Sequence, residues 1–289
     1  MMIRALMPAE AGASVPVMSM VMMAAAILCV VVMFFGMMIY AKKKLGASLK
    51  PFFIGCAVFI IFALILESIM HNIVLKATPA GDAIMNNIWL YAIYGGLAAG
   101  VFEETGRFLA FKTVMRKSEK KIDSVVFGMG HGGVEALLIL GISFIGSIVI
   151  SVMINAGMSD MLYQGVTDQA AIESLDTQIK SLTDTAPVMY LASIIERVIA
   201  ITYHISASVL VYAAARRGKT WLYPVTILIH ALYDGAMVVI ASTGINTFIL
   251  EGILAVMTAL IVLLAVRVYK GMKDEVSAIA EAEKETENA

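Results

Sequence analysis

Between Val17 and Tyr40 the chain carries no charged residue, and this apolar run is long enough to cross a bilayer as a helix. It is too long for a signal-peptide core, and its positive charges follow it, at Lys42–Lys44. The pattern recurs at Pro51–Leu75, from about Ile84 to Met115, and at Ser124–Ala156, Pro187–Ala215, Trp221–Ala241 and Thr247–Tyr269. Only 15% of the residues are charged, where a soluble domain averages about 25%, and the mean hydropathy is +0.88. The expected fold class is therefore all-α: a polytopic transmembrane helix bundle of about seven spans, multi-pass in the cell membrane, with the lipid bilayer as its first partner. Residues 1–16 read as an exposed N-terminal lead, 17–270 as a single transmembrane bundle and 271–289 as an acidic, helix-prone cytoplasmic tail. There is no basic, aromatic-interleaved patch, so no nucleic-acid partner is expected. Cys29 and Cys56 lie in apolar runs without CxxC spacing and read as packing residues.

Lys and Arg set the expected orientation, because cytoplasmic loops collect them. The loops at 41–50, 112–123 and 216–220 and the end from Arg267 collect lysine or arginine, while the opposite side holds only Arg4, Lys76 and Lys180. This predicts the N-terminus outside and the C-terminus in the cytoplasm. The long connection 157–186 falls on the extracytoplasmic side. It is polar and acidic, with helical spacing at Ile172, Leu175, Ile179 and Leu182, and reads as a solvated hairpin or as a cap over an outer opening.

Within the third span, GGLAAGVFEETGRFLAF (residues 95–111) places Glu103, Glu104 and Arg107 at membrane depth. Each ionised side chain there costs roughly 2.5–3.5 kcal/mol by insertion scales, so these residues need partners or a watery cavity. On a helix, Gly96, Gly100, Glu103 and Arg107 form one seam, and Gly96–Gly100 is a GxxxG step that admits a neighbouring backbone. Glu103 is expected on that seam, with Glu104 turned about 100° away.

Three later spans carry further polar residues. FGMGHGGVE holds His131 and Glu135 at i, i+4. ERVIAITYH holds Glu196, with Arg197 and His204 seven apart on one face, and HALYD holds His230 and Asp234 at i, i+4. Counted from the cytoplasmic basic flanks, Glu103, His131, His204 and His230 all lie about 13–20 Å deep. Antiparallel helices thus bring four polar clusters to one layer in the cytosol-side half of the bilayer. Any one of these residues alone would be an ordinary helix–helix hydrogen bond or counter-ion. Arg107 and Arg197 read as counter-ions to Glu103, Glu104, Glu135 or Glu196, and Asp234 as the residue that orients His230. Glu67 and His71, one turn apart near the outer end of the second span, read as a local pair away from the layer.

Two chemistries suit the layer. His131, His204 and His230 with a carboxylate can bind Zn²⁺ and leave a position for water. Alternatively, a carboxylate activates water directly, without metal, while neighbouring side chains stabilise the oxyanion. Both lead to hydrolysis of an amide in a membrane cavity, with Glu103 as the expected base. HExxH is absent.

FEETGR, FGMGH, the ER…H segment and HALYD, in that order over about residues 15–270, resemble the YhfC family of intramembrane proteases. That family groups with the CAAX-processing and bacteriocin-immunity membrane proteases. The resemblance implies a glutamate acting as general base on water, histidines from later helices completing the site, and a membrane-associated peptide or protein as substrate. By motif, Glu103 and Glu104 match the paired glutamates, His131 the FxxxH histidine, His204 that of the intervening helix, and His230 with Asp234 the last motif. Arg107 departs from the pattern, following the pair after two residues rather than three, and Glu135 is an added carboxylate. Two other classes of function compete: a proton-coupled transporter using the same carboxylates and histidines as a relay, and a non-catalytic immunity or regulatory protein that binds a peptide in the cavity.

Overall fold

A computed structural model describes residues 14–273, and every regular element among them is helical. The elements are α1 (Val17–Lys43), α2 (Lys50–Val58), a π-helical stretch (Phe59–Glu67), α3 (Ser68–His71), a second π-helical stretch (Asn72–Lys76), α4 (Ala80–Met85), α5 (Ile88–Lys112), α6 (Ile122–Asn155), α7 (Ser159–Leu162), α8 (Gln169–Asp184), α9 (Met189–Arg216), α10 (Leu222–Ser242) and α11 (Thr247–Lys270). Six helices are long and apolar enough to span a membrane: Val17–Lys43, Lys50–Lys76, Ile122–Asn155, Met189–Arg216, Leu222–Ser242 and Thr247–Lys270. The seventh expected span, α5, has 25 residues and the necessary length, but Glu103, Glu104 and Arg107 lower its apolar character. The chain is thus a multi-pass membrane protein.

The third span was expected to run unbroken from Ile84, and it does not. α4 stops at Met85, and Asn87 adopts extended backbone to start α5. Its side-chain oxygen accepts from the N–H groups of Trp89 at 3.0 Å and Leu90 at 3.1 Å, satisfying two donors that the first helical turn leaves open. The two π-helical stretches were not legible in the sequence.

Two compact units divide the chain. The first comprises the described residues up to Val32 with Leu137–Ile195. Its core joins Val15, Met23 and Ile154 to Ile179 and Leu182 of α8. The acidic connection is therefore an amphipathic helix with a docked apolar stripe, begun by Asp168, whose carboxylate accepts from Ala171 N–H at 3.3 Å. Val15 is buried and held at both backbone groups by the Asn155 amide, at 2.8 and 2.9 Å. The lead expected over residues 1–16 therefore ends in an anchored residue; 1–13 lie outside the described residues, as does the tail from 274.

The second unit, Met33–Ala136 with the residues from Glu196 on, contains every candidate site residue. Its helices approach through glycines. A Cβ on Gly96 would strike the Ala231 carbonyl of α10, and one on Gly100 would lie 2.6 Å from the Ile227 carbonyl. Gly128 and Gly132 of α6 likewise face the α9 backbone, at Ile205 and Ile201. Both pairs are GxxxG steps, and each lets two helices meet closely enough for short polar side chains to join. On the other side of α6, Gly130 abuts Phe52 of α2, and Cys56 Sγ lies 3.2 Å from the Gly130 carbonyl oxygen. α9 is the most enclosed span, with nearly every residue from Ile201 to Ala215 buried. It delivers His204 from inside the unit.

Candidate active site

α5, α6, α9 and α10 supply the site, at the level where glycines bring α5 against α10 and α6 against α9. Glu103 lies 7% exposed, Glu104 and Arg107 fully buried. Arg107 NH1 donates to Glu104 Oε1, and its NH2 donates to Glu103 Oε2 at 3.1 Å. That NH2 also lies 2.6 Å from His204 Nδ1. One guanidinium thus ties both glutamates of α5 to α9. His131 Nε2, from α6, meets Glu103 Oε2 at 2.9 Å. His204 Nε2 pairs with Glu135 Oε2, and Arg197 NH1 donates to Glu135 Oε1 at 3.2 Å. Arg197 also pairs with Glu196. The seven-residue spacing of Arg197 and His204 therefore does what the helical period requires, since both reach the same carboxylate of α6. From α10, His230 places Nδ1 at 2.7 Å from Glu104 Oε1 and Nε2 at 3.4 Å from Asp234 Oδ2.

The three histidines share one site: the ring centroids of His131 and His204 are 5.1 Å apart, and those of His204 and His230 are 6.0 Å apart. A cavity of about 300 Å³ opens on Glu103, Glu135, Glu196, His204, His230 and Asp234, with Tyr203 and Tyr233 in its wall. Glu196 and Asp234, each with 40% side-chain exposure, are its most open carboxylates. His131, Glu104 and Arg107 stand behind this lining. Glu67 and His71 form the local pair expected of them, at 3.2 Å, with Tyr94 on the other ring nitrogen at 2.9 Å.

The two glutamates of α5 differ in kind. Among the described residues, the hydrogen bonds and ion pairs of Glu103 run through Oε2, and Glu103 lines the cavity, which leaves Oε1 for a ligand or water. Glu104 makes its contacts through Oε1, and its buried Oε2 has no hydrogen-bond partner among the described residues. The glycine seam admits a neighbouring backbone as expected, and that neighbour is α10. It is Glu104, however, four residues beyond Gly100, that touches α10 through His230. Glu103 turns instead toward α6 and α9.

Glu103, His131 and His204 each offer a ligand atom, all within 4.8 Å of one another and all in buried side chains. Two imidazoles and one carboxylate are a donor set of catalytic zinc sites, which keep a further position for water or substrate. The charges agree with a cation. Among the described residues, Glu103, Glu104, Glu135, Glu196 and Asp234 face only Arg107 and Arg197 as fixed cations, and even with His230 protonated between its two carboxylates an anionic excess remains. Glu135 behind His204 Nε2 is the kind of carboxylate backing that fixes an imidazole when it ligates a metal. Arg107 and a cation would compete for His204 Nδ1. The three-histidine set anticipated for zinc is not the group the geometry draws tightest, because both His230 nitrogens face carboxylates and Glu103 takes its place.

Tyr203 and Tyr233 were missed in the sequence, although they directly precede His204 and Asp234. Their rings stack at 4.5 Å, and Tyr203 also meets His204 and His230 edge-on at 5.2 and 5.1 Å. Glu251 of α11, 8% exposed, is another intramembrane carboxylate outside the expected layer.

The family described as YhfC intramembrane metalloprotease matches residues 27–255. A curated relative, the uncharacterized membrane protein YhfC of Bacillus subtilis (strain 168), is 38% identical over 200 residues, covering 69% of this chain and 76% of that protein. No solved structure matches the chain. The matched region contains the whole polar layer from Glu103 to Asp234, and the chain belongs to the YhfC intramembrane metalloprotease family.

Proposed function

We propose that the protein is an intramembrane peptidase that hydrolyses a peptide bond of a membrane-associated protein or peptide, with Glu103 at the reacting water. The observation that carries this reading is the Glu103 carboxylate, which lines the cavity while its Oε2 is held by Arg107 and His131. A carboxylate held through one oxygen presents the other in a fixed direction, as a general base requires. Glu103 accepts a proton as the water oxygen bonds to the carbonyl carbon. It then returns that proton to the amide nitrogen as the C–N bond breaks. Arg107 and His131 keep the carboxylate oriented, Glu135 fixes the His204 ring, and Glu104 with Asp234 fixes His230.

Glu103, His131 and His204 are the residues that would hold a divalent cation, with His230 beside them. Bound there, the cation supplies Lewis acidity toward the carbonyl and lowers the pKa of water. The lysine and arginine distribution supports an opening on the cytosolic side of the bilayer, with the N-terminus outside. The test is cleavage of membrane-protein substrates in vesicles containing the purified protein, compared with Glu103→Gln at equal abundance. Product from wild type alone supports the reading, and equal product from both removes it.

A further inference from the structure

We propose that Tyr203 is a catalytic residue: its hydroxyl donates a hydrogen bond to the oxyanion formed when water adds to the scissile carbonyl. The inference rests on the peptidase reading and adds to it the group that receives the developing charge.

The case begins with an inventory of donors. Of the cavity-lining side chains that can donate, Arg197 is engaged by Glu135 and Glu196, and His204 lies between Arg107 and Glu135. His230 lies between Glu104 and Asp234, and Tyr233 shares a hydrogen bond with Thr258 at 2.9 Å. The Tyr203 hydroxyl alone of these has no hydrogen-bond partner among the described residues, and its side chain is only 1% exposed. A buried hydroxyl without a partner is destabilising, and native proteins retain few of them unless something else uses the group.

The ring cannot swing away to find another partner. Tyr233 stacks on one face at 4.5 Å, and His204 and His230 pack against it edge-on. The ring is thus held against both histidines, and Tyr203 belongs to the wall of the cavity that Glu103 lines. This is the preorganisation that makes an oxyanion donor effective, because it need not reorient as charge develops. In the step, the water oxygen bonds to carbon and the carbonyl π pair moves onto oxygen. The water proton goes to Glu103, while Tyr203 keeps its own proton and only shares it.

Two apolar Phe–Ala ligands test this: a phosphinic peptide with PO₂–CH₂ in place of the amide, and the uncharged ketomethylene isostere. The first mimics the tetrahedral oxyanion and the second the ground-state carbonyl. Tyr203→Phe should lower phosphinate affinity about 10²–10³-fold, the range for losing one oxyanion donor. It should leave ketomethylene affinity and thermal stability as in wild type. Tyr233→Phe should keep the wild-type ratio of the two affinities while lowering stability. An unchanged ratio in Tyr203→Phe overturns the proposal, as does an equal loss for both ligands. Wild type that binds the phosphinate selectively but cleaves nothing removes the peptidase reading, and wild type that binds neither ligand removes both.

Discussion

Glu104 Oε1 lies 2.7 Å from His230 Nδ1, and the same oxygen receives Arg107 NH1. This one atom joins α5 to α10 at the level where Gly100 lets the two backbones approach. Glu104 is not part of the cavity lining, which suits it to holding Arg107 and His230 in place. Its neighbour Glu103, about 100° round the helix, reaches the cavity and meets α6. Two adjacent carboxylates thus have separate tasks, set by which helix each one meets.

That division predicts different outcomes for the two amides. Glu103→Gln should lower turnover by about 10²–10⁴-fold, the contribution of a general base. The protein should still insert and fold. Glu104→Gln should reduce turnover less and destabilise more, because removing one partner of a buried ion pair costs about 3–5 kcal/mol. Turnover and detergent melting of both variants, at matched membrane abundance, check this. A dead, stable Glu104→Gln beside an active Glu103→Gln would reverse the roles.

The α5–α10 contact can be tested with a built-in control. A Cβ at Gly96 strikes the Ala231 carbonyl, while one at Gly95 meets nothing within 4 Å. Gly96→Ala should cost about 1–3 kcal/mol, the usual range for overpacking, and lower activity by displacing His230. Gly95→Ala should be neutral in both respects. Equal melting temperatures for the two would show that the backbones do not need this closeness.

The helices and the polar layer were legible because both follow from period and depth. A span needs a certain apolar length, and equal distances from the basic flanks put Glu103, His131, His204 and His230 at one level. The i, i+4 and i, i+7 spacings put His131 with Glu135 and Arg197 with His204 on common faces, and those faces meet. Rotation about the helix axis was less legible. Gly96 and Gly100 are followed by Glu103 at i+7 and Glu104 at i+8, and either fits the seam; the neighbour at His230 decides, and that is a tertiary fact. The break at Asn86–Asn87 does not show in apolar length, because it is set by the Asn87 side chain capping α5. Tyr203 carries no charge and looks like ordinary aromatic packing until its hydroxyl is found without a partner.

Orientation yields a labelling prediction. Ser174, on the exposed face of α8, should as Ser174→Cys react with a membrane-impermeant maleimide only from the extracytoplasmic side. Cys29 and Cys56 would first be replaced by alanine. Labelling from the cytosolic side alone would invert the topology and with it the side on which the cavity opens.

The last prediction separates the two donor sets for a metal. Glu103, His131 and His204 converge within 4.8 Å, while His230 is engaged by Glu104 and Asp234. Metal analysis of purified protein should therefore find a divalent ion in wild type and little in His131→Ala, His204→Ala or Glu103→Gln. His230→Ala should keep its ion, because its ring stands behind no ligand and only its pairings with Glu104 and Asp234 are lost. Arg107→Gln should keep the ion as well or bind it more tightly, since Arg107 NH2 lies 2.6 Å from the His204 nitrogen that a cation would use. Folding is read in parallel from detergent melting, so that a collapsed variant is not mistaken for a lost ligand. Loss of metal in folded His230→Ala, with retention in Glu103→Gln, would restore the three-histidine set and leave Glu103 solely as the base.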